Sequence, residues 1–426
     1  MFTVSANTEI TPKLALKFIL RHCTEKDRLD RLYSYYTGDH DILSRQRAQG
    51  AANNRLVCNF AKYITDCTTG CFLGKPIRYS SRSGQKLDAV LDVLRRCDSD
   101  TQDIDLARYG SIFGTSYEMV FLNESNQIRL ASLDPRSAFV VYDDTVAAEP
   151  VFGVYYVPRT NDNGVLCYHV YLCDSVSVRE FDTNTGFSSV GDVSERPHLC
   201  GGVPIIEYYN NWDKQGDFEQ VTSLIDAYNV LQSDRVNDKE QFVNSILVIK
   251  GQILGDTGEE ERETYSAIKR YGVMTMDDSG DAKWLTRQFD EQSVDVLRRS
   301  IEDDIHKFSG VPCMNDSNFS GNSSGVAMRY KLLAFEQMTK IKERYFAEGL
   351  KNRLTLVSNL IYCLGGQRTD IGDIDVSFSY NLPQNESEIV ENISRLKDII
   401  PNEQLAQLLP NDMKAAVDGG ASRAAE

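Results

Sequence analysis

The sequence is short of positive charge. Its 426 residues include 46 lysines and arginines against 62 aspartates and glutamates, which gives a net charge of −16 at pH 7. A protein that grips nucleic acid through its phosphates needs at least one basic face. The composition therefore argues against tight, sequence-independent DNA binding. It leaves room for an acidic surface past which a polyanion moves.

Long apolar runs and a secretion signal are also missing. No stretch of about 18 apolar residues occurs, so no membrane span and no membrane partner are predicted. The first residues include neither a basic nor an apolar region of the kind that directs secretion. The ten cysteines include no CxxC pair and are predicted to be reduced core residues rather than metal ligands or disulfides. These absences predict a soluble protein made in a reducing compartment.

Sequence motifs for nucleotide-dependent or hydrolytic enzymes are absent as well. Gly74-Lys75 invites comparison with a phosphate-binding loop, but Thr69 stands where the first glycine belongs and Pro76 replaces the serine or threonine. No G-x-S-x-G, H-E-x-x-H or G-x-G-x-x-G pattern occurs. The sequence therefore predicts no enzyme and no cofactor.

Three clusters of ionisable residues need a separate interpretation. His40 lies between two aspartates and could bind a metal ion, although a solvated loop is favoured there. Asp134 with Asp143 and Asp144 could form a two-metal nuclease site, but no Glu-x-Lys partner follows at a suitable position. The run Glu302-Asp303-Asp304 fits the solvated face of a helix. A metal-dependent nuclease thus stays open as an alternative function.

Helical and strand patterns follow one another in blocks. Helices are predicted at 12–38 with a restart at Thr24, and at 60–72, 86–94 and 103–113. Residues 39–57 are predicted to be a polar linker. Short alternating segments between about 115 and 210 predict an antiparallel sheet. A helix is predicted to open at Asp217, with Gln220 as its capping-box partner, and to reach about Ser245.

The second half contains an inserted module and two strong helices. Residues 246–289 are predicted to include strands at 246–250 and 272–276. A helix follows at 291–308, and another at 326–364 whose length would be on the order of 55 Å at 1.5 Å per residue. A last strand is predicted at 374–380.

A polar loop separates the last two helices. Residues 309–325 are rich in Asn, Ser and Gly, and Pro312 prevents a helix from running through. Loops of this length in a compact chain are functional or disordered. The loop therefore becomes the main candidate for a functional segment.

Segments spread from about residue 30 to 410 carry a resemblance to a known family. They are Leu32-Tyr-Ser-Tyr-Tyr36, Gly38-Asp-His-Asp-Ile-Leu43, Asn53-Asn-Arg-Leu-Val57, Asn59-Phe60, Gly74-Lys-Pro-Ile77, Ser132-Leu-Asp-Pro135, Val140-Val-Tyr-Asp143, Pro204-Ile-Ile-Glu-Tyr208, Ser223-Leu-Ile-Asp-Ala-Tyr228, Ser309-Gly-Val-Pro312, Phe319-Ser-Gly-Asn-Ser-Ser-Gly325 and Asn381-Leu-Pro383. In this order they resemble the portal proteins of tailed bacteriophages, in the branch typical of long-tailed phages of Gram-positive bacteria. One departure is Cys71, where the family pattern has an aromatic residue.

The resemblance implies an α+β fold of the portal type, with a helical stem, a mixed α/β wing, a small β-containing clip and a long wing helix. On that template the segments are a wing (1–217), a stem helix (218–245), a clip (246–289), a second stem helix (290–308), a tunnel loop (309–325), the long wing helix with a return strand (326–380) and a crown or C-terminal tail (381–426).

The resemblance also implies a function and partners. Portal proteins form a homo-oligomeric ring, twelve subunits in the virion, that serves as head–tail connector at one capsid vertex and as the channel for packaging and ejection of double-stranded DNA. Implied partners are the large terminase subunit, head-completion or adaptor proteins, and the major capsid and scaffolding proteins. Synthesis in the host cytoplasm is implied. A non-channel assembly adaptor stays open as a further alternative.

The implied site is the tunnel loop, projecting into the channel through residues that include Asn315, Asp316, Asn318, Phe319, Ser320, Gly321 and Asn322. Lys307 and Arg329 flank the loop and could supply weak phosphate contacts. For both, a helix-end charge near a dipole or an intersubunit ion pair is an equally open interpretation.

Overall fold

The computed structural model describes residues 2–48, 52–160, 164–242, 291–313 and 325–379, together with short stretches at 246–250, 258–260, 262–263, 266 and 281–285. Two compact units can be distinguished. Unit 1 comprises Met1–Tyr33, Lys62–Gln220 and Ser309–Glu426, and unit 2 comprises Ser34–Ala61 and Val221–Phe308.

The described elements mix helices and strands, which confirms the predicted α+β class. In chain order they are β1 (Phe2–Val4), α1 (Pro12–Thr37), α2 (Phe60–Leu73), β2 (Arg78–Ser81), α3 (Asp88–Arg96), α4 (Ser99–Phe113), β3 (Thr115–Leu122), β4 (Ile128–Leu133), β5 (Ala138–Asp143), β6 (Pro150–Thr160), β7 (Leu166–Cys173), β8 (Ser177–Asn184), β9 (Ser194–Pro197), β10 (Ile205–Tyr209), α5 (Thr222–Phe242), β11 (Ile246–Lys250), β12 (Asp281–Leu285), α6 (Glu291–Ser309), α7 (Gly325–Cys363) and β13 (Ile374–Ser377).

Strands of unit 1 form separate sheets rather than the one antiparallel sheet predicted between 115 and 210. A six-stranded sheet has the order β1-β5-β6-β7-β8-β9, and a three-stranded sheet has the order β10-β3-β4. The prediction was wrong because β5 is buried along its whole length and β3 is buried except at its last two residues. An apolar run that is buried on both faces does not reveal its partner. The N-terminal β1 adds a strand parallel to β5.

Helix α1 covers one face of the six-stranded sheet. Phe18 meets Phe152 of β6 edge to face, with ring centroids 5.7 Å apart. On the opposite face Gly153 lies so close to Ile205 of β10 that an added Cβ would be 2.7 Å from its side chain. Only glycine fits where the two sheets approach. The predicted restart of α1 at Thr24 is wrong, because the Thr24 hydroxyl donates to the Arg21 carbonyl of the same helix.

A second core in unit 1 forms around α7. Leu350, Leu354 and Val357 of this helix are buried in the same cluster as residues of α3 and β4. The predicted helix at 326–364 is confirmed to within one residue at each end. The last predicted strand is shorter than expected, and β13 pairs antiparallel with β2, for which no strand was predicted.

Unit 2 contains α5, α6 and the antiparallel pair β11–β12. The predicted strand at 272–276 lies outside the described residues. The predicted helix start at Asp217 is wrong, since α5 begins at Thr222 after a short 3₁₀ turn. The Asp217 carboxylate instead accepts hydrogen bonds from Ser111 and Asn210 and pairs with Lys342. These tertiary contacts outweigh the local capping pattern, so Asp217 does not begin the helix.

Candidate functional site

The predicted loop residues Asn315, Asp316, Asn318, Phe319, Ser320, Gly321 and Asn322 lie outside the described part of the chain. The structure does describe the first residues of this loop, 309–313. Gly310 has a φ of +70°, a left-handed conformation that favours glycine. Val311 is fully buried, and the Pro312 carbonyl accepts a hydrogen bond from the Tyr63 hydroxyl at 3.1 Å. The loop therefore leaves from a point that is fixed to α2.

Of the two cations that flank the loop, the structure describes the side chain of Lys307 and not that of Arg329. Lys307 lies in the last turn of α6 and is exposed, with its Nζ 5.6 Å from the ring centroid of Phe308. Arg329 lies in the second turn of α7, and its side chain is outside the described atoms. Lys307 is therefore available at the helix end, as a phosphate contact would require.

An extended segment of unit 2, residues 52–59, runs antiparallel to α5, and we call it the strap. The Asn54 N–H donates to Asn237 Oδ1 at 2.6 Å, the Leu56 N–H to Ser233 Oγ at 2.9 Å, and the Cys58 N–H to Asn229 Oδ1 at 2.8 Å. Alternate strap residues thus meet every fourth helix residue. All three helix side chains are fully buried. Side chains of α5 take the place of a second strand.

This ladder corrects one sequence interpretation, because residues 39–57 were predicted to be a polar linker. The available signal was the repeat of short polar side chains at 229, 233 and 237, a spacing that puts all three on one helical face. A polar face of this kind is buried where a backbone segment needs acceptors.

Ion pairs hold both ends of the ladder region. Arg45 pairs with Asp234 of α5 at 2.7 Å, and Arg47 contacts the same carboxylate. Against the effect of partial burial, these guanidinium groups lower the pKa of Asp234 below its ordinary value. Lys239 of α5 pairs with Glu291 at 2.6 Å, which ties the end of α5 to the first residue of α6.

His40 is part of this packing and does not form the solvated loop that was favoured. It is 2% exposed and stacks on Tyr35 with ring centroids 4.6 Å apart. Its Nε2–H donates to the Tyr35 carbonyl, and its Nδ1 accepts from the Asn229 amide, both at 2.9 Å. Because both ring nitrogens are used, His40 is not arranged to bind a metal ion.

The aspartates of the nuclease alternative stabilise turns. Asp134 accepts hydrogen bonds from the backbone N–H and the guanidinium of Arg136. Asp143 accepts from the N–H groups of Thr145 and Glu149 and from the Thr145 hydroxyl, and these bonds lower the pKa of Asp143. Asp144 is exposed. The carboxylates of Asp134 and Asp143 thus stabilise local turns, which is an ordinary role of aspartate.

Helix α7 is held to the sheets of unit 1 by a buried cation. Arg353 is fully buried and pairs with Asp103 at 2.6 Å and with Glu118 at 2.7 Å. The Tyr208 hydroxyl donates to the same Glu118 carboxylate at 2.7 Å. Burial raises the pKa of Asp103 to about 6, although Arg353 acts in the opposite direction. The cluster fixes α7 on β3 and β10 at one point.

The ten cysteines were predicted to be core residues, and five of them are buried: Cys71, Cys97, Cys167, Cys173 and Cys200. Four are half-buried and Cys363 is exposed, so the prediction was wrong for these five. Burial raises the pKa of the Cys71 thiol to about 11. Such a thiol stays protonated at neutral pH and behaves as a small apolar residue. Among the described helices, none is long and apolar enough to span a bilayer.

Comparison with known proteins gives consistent matches over most of the chain. A family model described as phage portal protein, SPP1 Gp6-like, matches residues 16–417. The portal protein of Bacillus phage SPP1 is 22% identical over 401 residues, covering 90% of this chain and 78% of that protein. The portal protein of Clostridium phage phiCD119 is 23% identical over 402 residues, covering 86% of each chain.

Comparison with solved structures gives matches that include two chains from gene transfer agent (GTA) particles. A chain from the virion of a native GTA particle aligns with a TM-score of 0.46 and 15% identity, covering 93% of each chain. A chain from the neck of an empty GTA particle aligns with a TM-score of 0.48 and 16% identity, covering 82% of this chain and 90% of that one.

Proposed function

Because the chain belongs to the SPP1 Gp6-like family of phage portal proteins, we propose that twelve copies form the channel at one vertex of the capsid through which double-stranded DNA is packaged and ejected. A portal protein is a ring-forming structural component of the phage particle and not an enzyme. Family membership over 16–417 carries this proposal.

The charge of the chain suits a channel for DNA. Twelve copies of a chain with net charge −16 carry 12 × −16 = −192. A ring with this charge repels a polyanion on average, so DNA would pass without being held. The Asn, Ser and Gly residues of the loop could still contact the DNA backbone through neutral hydrogen bonds, each with a net value of about 0.5–1.5 kcal/mol.

The stem is proposed to comprise 218–245 and 290–308, which contain most of α5 and α6. The hydrogen bonds of the strap to α5 and the Lys239–Glu291 ion pair between α5 and α6 support this, since they join parts of unit 2 without apolar packing. The clip is proposed at 246–289, where β11 pairs with β12. The wing (1–217 and 326–380), the tunnel loop (309–325) and the crown (381–426) complete the proposed division.

The partners are proposed from the family alone. The large terminase subunit would dock on the ring during packaging, and head-completion or adaptor proteins would take its place afterwards. Major capsid and scaffolding proteins would surround the ring at the vertex, after synthesis of the chain in the host cytoplasm.

The particle mass tests the ring. Purified protein should give a species near twelve times 48.0 kDa, or thirteen times that value in the absence of the capsid. A stable monomer that cleaves DNA with Mg²⁺ would refute the channel and favour the nuclease alternative.

A loop deletion tests the proposed role of 309–325. Removing residues 318–322 should leave ring mass unchanged but reduce DNA packaging or retention in particles. A variant with these five residues replaced by Gly-Ser repeats of equal length separates loop length from loop chemistry. If the deletion abolished ring assembly instead, the loop would be a structural clasp between subunits. Lys307→Ala at the end of α6, with the loop left intact, should lower packaging only modestly, because one exposed cation contributes little.

A further inference from the structure

Trp212 is the most exposed large aromatic side chain in the described part of the chain. It is one of two tryptophans in the sequence and is 82% exposed to solvent. It lies in the turn between β10 and α5. Tryptophan is enriched at the centres of protein interfaces, where its truncation costs more binding energy than that of most residues. An exposed indole is therefore a candidate contact residue if the backbone that carries it is fixed.

The turn that presents Trp212 is internally cross-braced. Asn210 and Asn211 both donate side-chain hydrogen bonds to the Gln215 carbonyl, at 2.9 and 2.7 Å. The Gln215 N–H donates back to Asn211 Oδ1 at 3.0 Å. The Lys214 backbone has a φ of +54°, a conformation that a free tetrapeptide seldom adopts. Hydrogen bonds on both sides thus fix the backbone that supports the indole.

The turn is also fixed to the end of α4. The Asn210 N–H donates to the Gly114 carbonyl at 3.0 Å, and the Asp217 N–H to the Ser111 carbonyl at 2.8 Å. A Cβ added at Gly114 would be 2.0 Å from the Lys214 carbonyl oxygen, so the two backbones are in direct contact. Lys214 Nζ pairs with the buried Glu207 carboxylate at 2.7 Å. The backbone that carries Trp212 therefore has little freedom to lose on binding.

We propose that Trp212 is an aromatic anchor that packs against the neighbouring copy of this chain in the ring. This rests on the proposed ring and adds a specific contact to it. Anchors on rigid turns bind well because the entropy of ordering the loop has already been lost on folding. A ring also makes heterologous contacts, so one protruding side chain per subunit can recur at every interface.

The charges around the turn favour a protein neighbour over DNA. Asp213 is exposed next to Trp212, and Glu219 lies close to the turn through the Gly216 N–H, which donates to its carboxylate at 3.1 Å. The two described cations at the turn are already paired with carboxylates. Lys214 pairs with Glu207, and Arg28, whose guanidinium also donates to the Lys214 carbonyl at 3.3 Å, pairs with Glu219 at 2.5 Å. A base-stacking tryptophan is usually surrounded by cations that hold the phosphates, and both of these cations are held by acids of the same chain.

The first test compares assembly of Trp212→Ala with that of the wild type. The fraction of subunits in rings is measured against protein concentration by mass photometry. The protein concentration at which half of the subunits are in rings should rise at least about 30-fold, as truncation of an aromatic hot spot predicts. Trp212→Phe should recover part of the loss. The matched control is Val146→Ala, a fully exposed apolar residue in another turn, which should assemble like the wild type.

The second test reads the environment of the indole directly. In a Trp284→Phe background Trp212 is the sole tryptophan. Its emission should shift to the blue, and its quenching by acrylamide should fall several-fold, when subunits join into rings. Equal quenching in subunits and rings, together with unchanged assembly of Trp212→Ala, would overturn the anchor and leave the ring intact. Protection by DNA and not by assembly would also overturn it. Failure of the wild type to form rings would refute the proposed function itself.

Discussion

Substituting Ser233 by alanine should loosen the strap at one rung of its ladder. The hydroxyl accepts the Leu56 N–H at 2.9 Å and donates to the Asn229 carbonyl at 2.7 Å, in a position with no solvent access. Alanine keeps the helix and removes the acceptor. Leu56 itself is 40% exposed, so the loss of this hydrogen bond costs about 0.5–1.5 kcal/mol. Local opening at Leu56 should therefore become about 2- to 12-fold more frequent, at about 1.4 kcal/mol per factor of ten.

Hydrogen exchange followed by mass spectrometry measures this opening. The Leu56 amide should exchange faster by the factor given above, because exchange of a protected amide follows the free energy of local opening. The Asn54 and Cys58 amides keep their own acceptors, Asn237 and Asn229, and should change less. A smaller effect at the outer rungs would show that the rungs act one by one.

The matched control is Ser223→Ala, an exposed serine near the start of the same helix. It makes the same chemical change without removing a strap acceptor. Faster exchange of the strap in this variant would mean that helix propensity, not the ladder, controls opening. If Ser233→Ala left Leu56 protection unchanged, the hydrogen bond would have no energetic role, and the strap would be held by its other contacts.

The remaining predictions concern unit 1. Arg353→Met leaves the buried carboxylates of Asp103 and Glu118 without their cation and should reduce the free energy of unfolding by about 3–5 kcal/mol. The melting temperature of the isolated subunit should therefore fall by a large amount. Neutralising both acids as well, in an Asp103→Asn/Glu118→Gln background, should recover much of the lost stability. Burial lowers the pKa of His22 to about 4, below the unfolded value of 6.5, so its contribution to stability is complete above pH 6.5 and is lost as the pH falls towards 4. His22→Gln should flatten the melting temperature over this range, and an unchanged slope would assign the pH dependence to other groups.

Long amphipathic elements could be predicted from the sequence. The start and end of α7 were predicted to within one residue, because its apolar side chains recur at helical spacing over 39 residues. Helix α6 was predicted equally well for the same reason. Short strands could not be predicted: β1 and β2 have three and four residues, too few for an alternating pattern to stand out.

Elements fixed by distant partners also escaped prediction. Asp217 fits a helix cap locally, but Lys342 lies 125 positions away in sequence and its ammonium group is 7% exposed beside that carboxylate. The strap has no apolar period at all, and its conformation depends on acceptors supplied from α5. The tunnel loop stays a prediction, since 314–324 lie outside the described residues. The family was identified correctly because its motifs are spread over the whole chain and keep their order.

The strap and helix α5 advance by different distances between successive hydrogen bonds of the ladder. Two residues of extended chain advance about 6.6–6.8 Å, whereas four residues of helix advance about 6.0 Å. Each interval between rungs therefore adds an offset of about 0.6–0.8 Å, and the third rung is offset from the first by about 1.2–1.6 Å. The strap ends where α2 begins, at Phe60. The three rungs use backbone N–H groups of the strap, and the Asn54 side chain adds a hydrogen bond to Asn237. Substitutions at 55–58 should thus be tolerated far better than a single inserted residue, which would turn alternate N–H groups away from their acceptors.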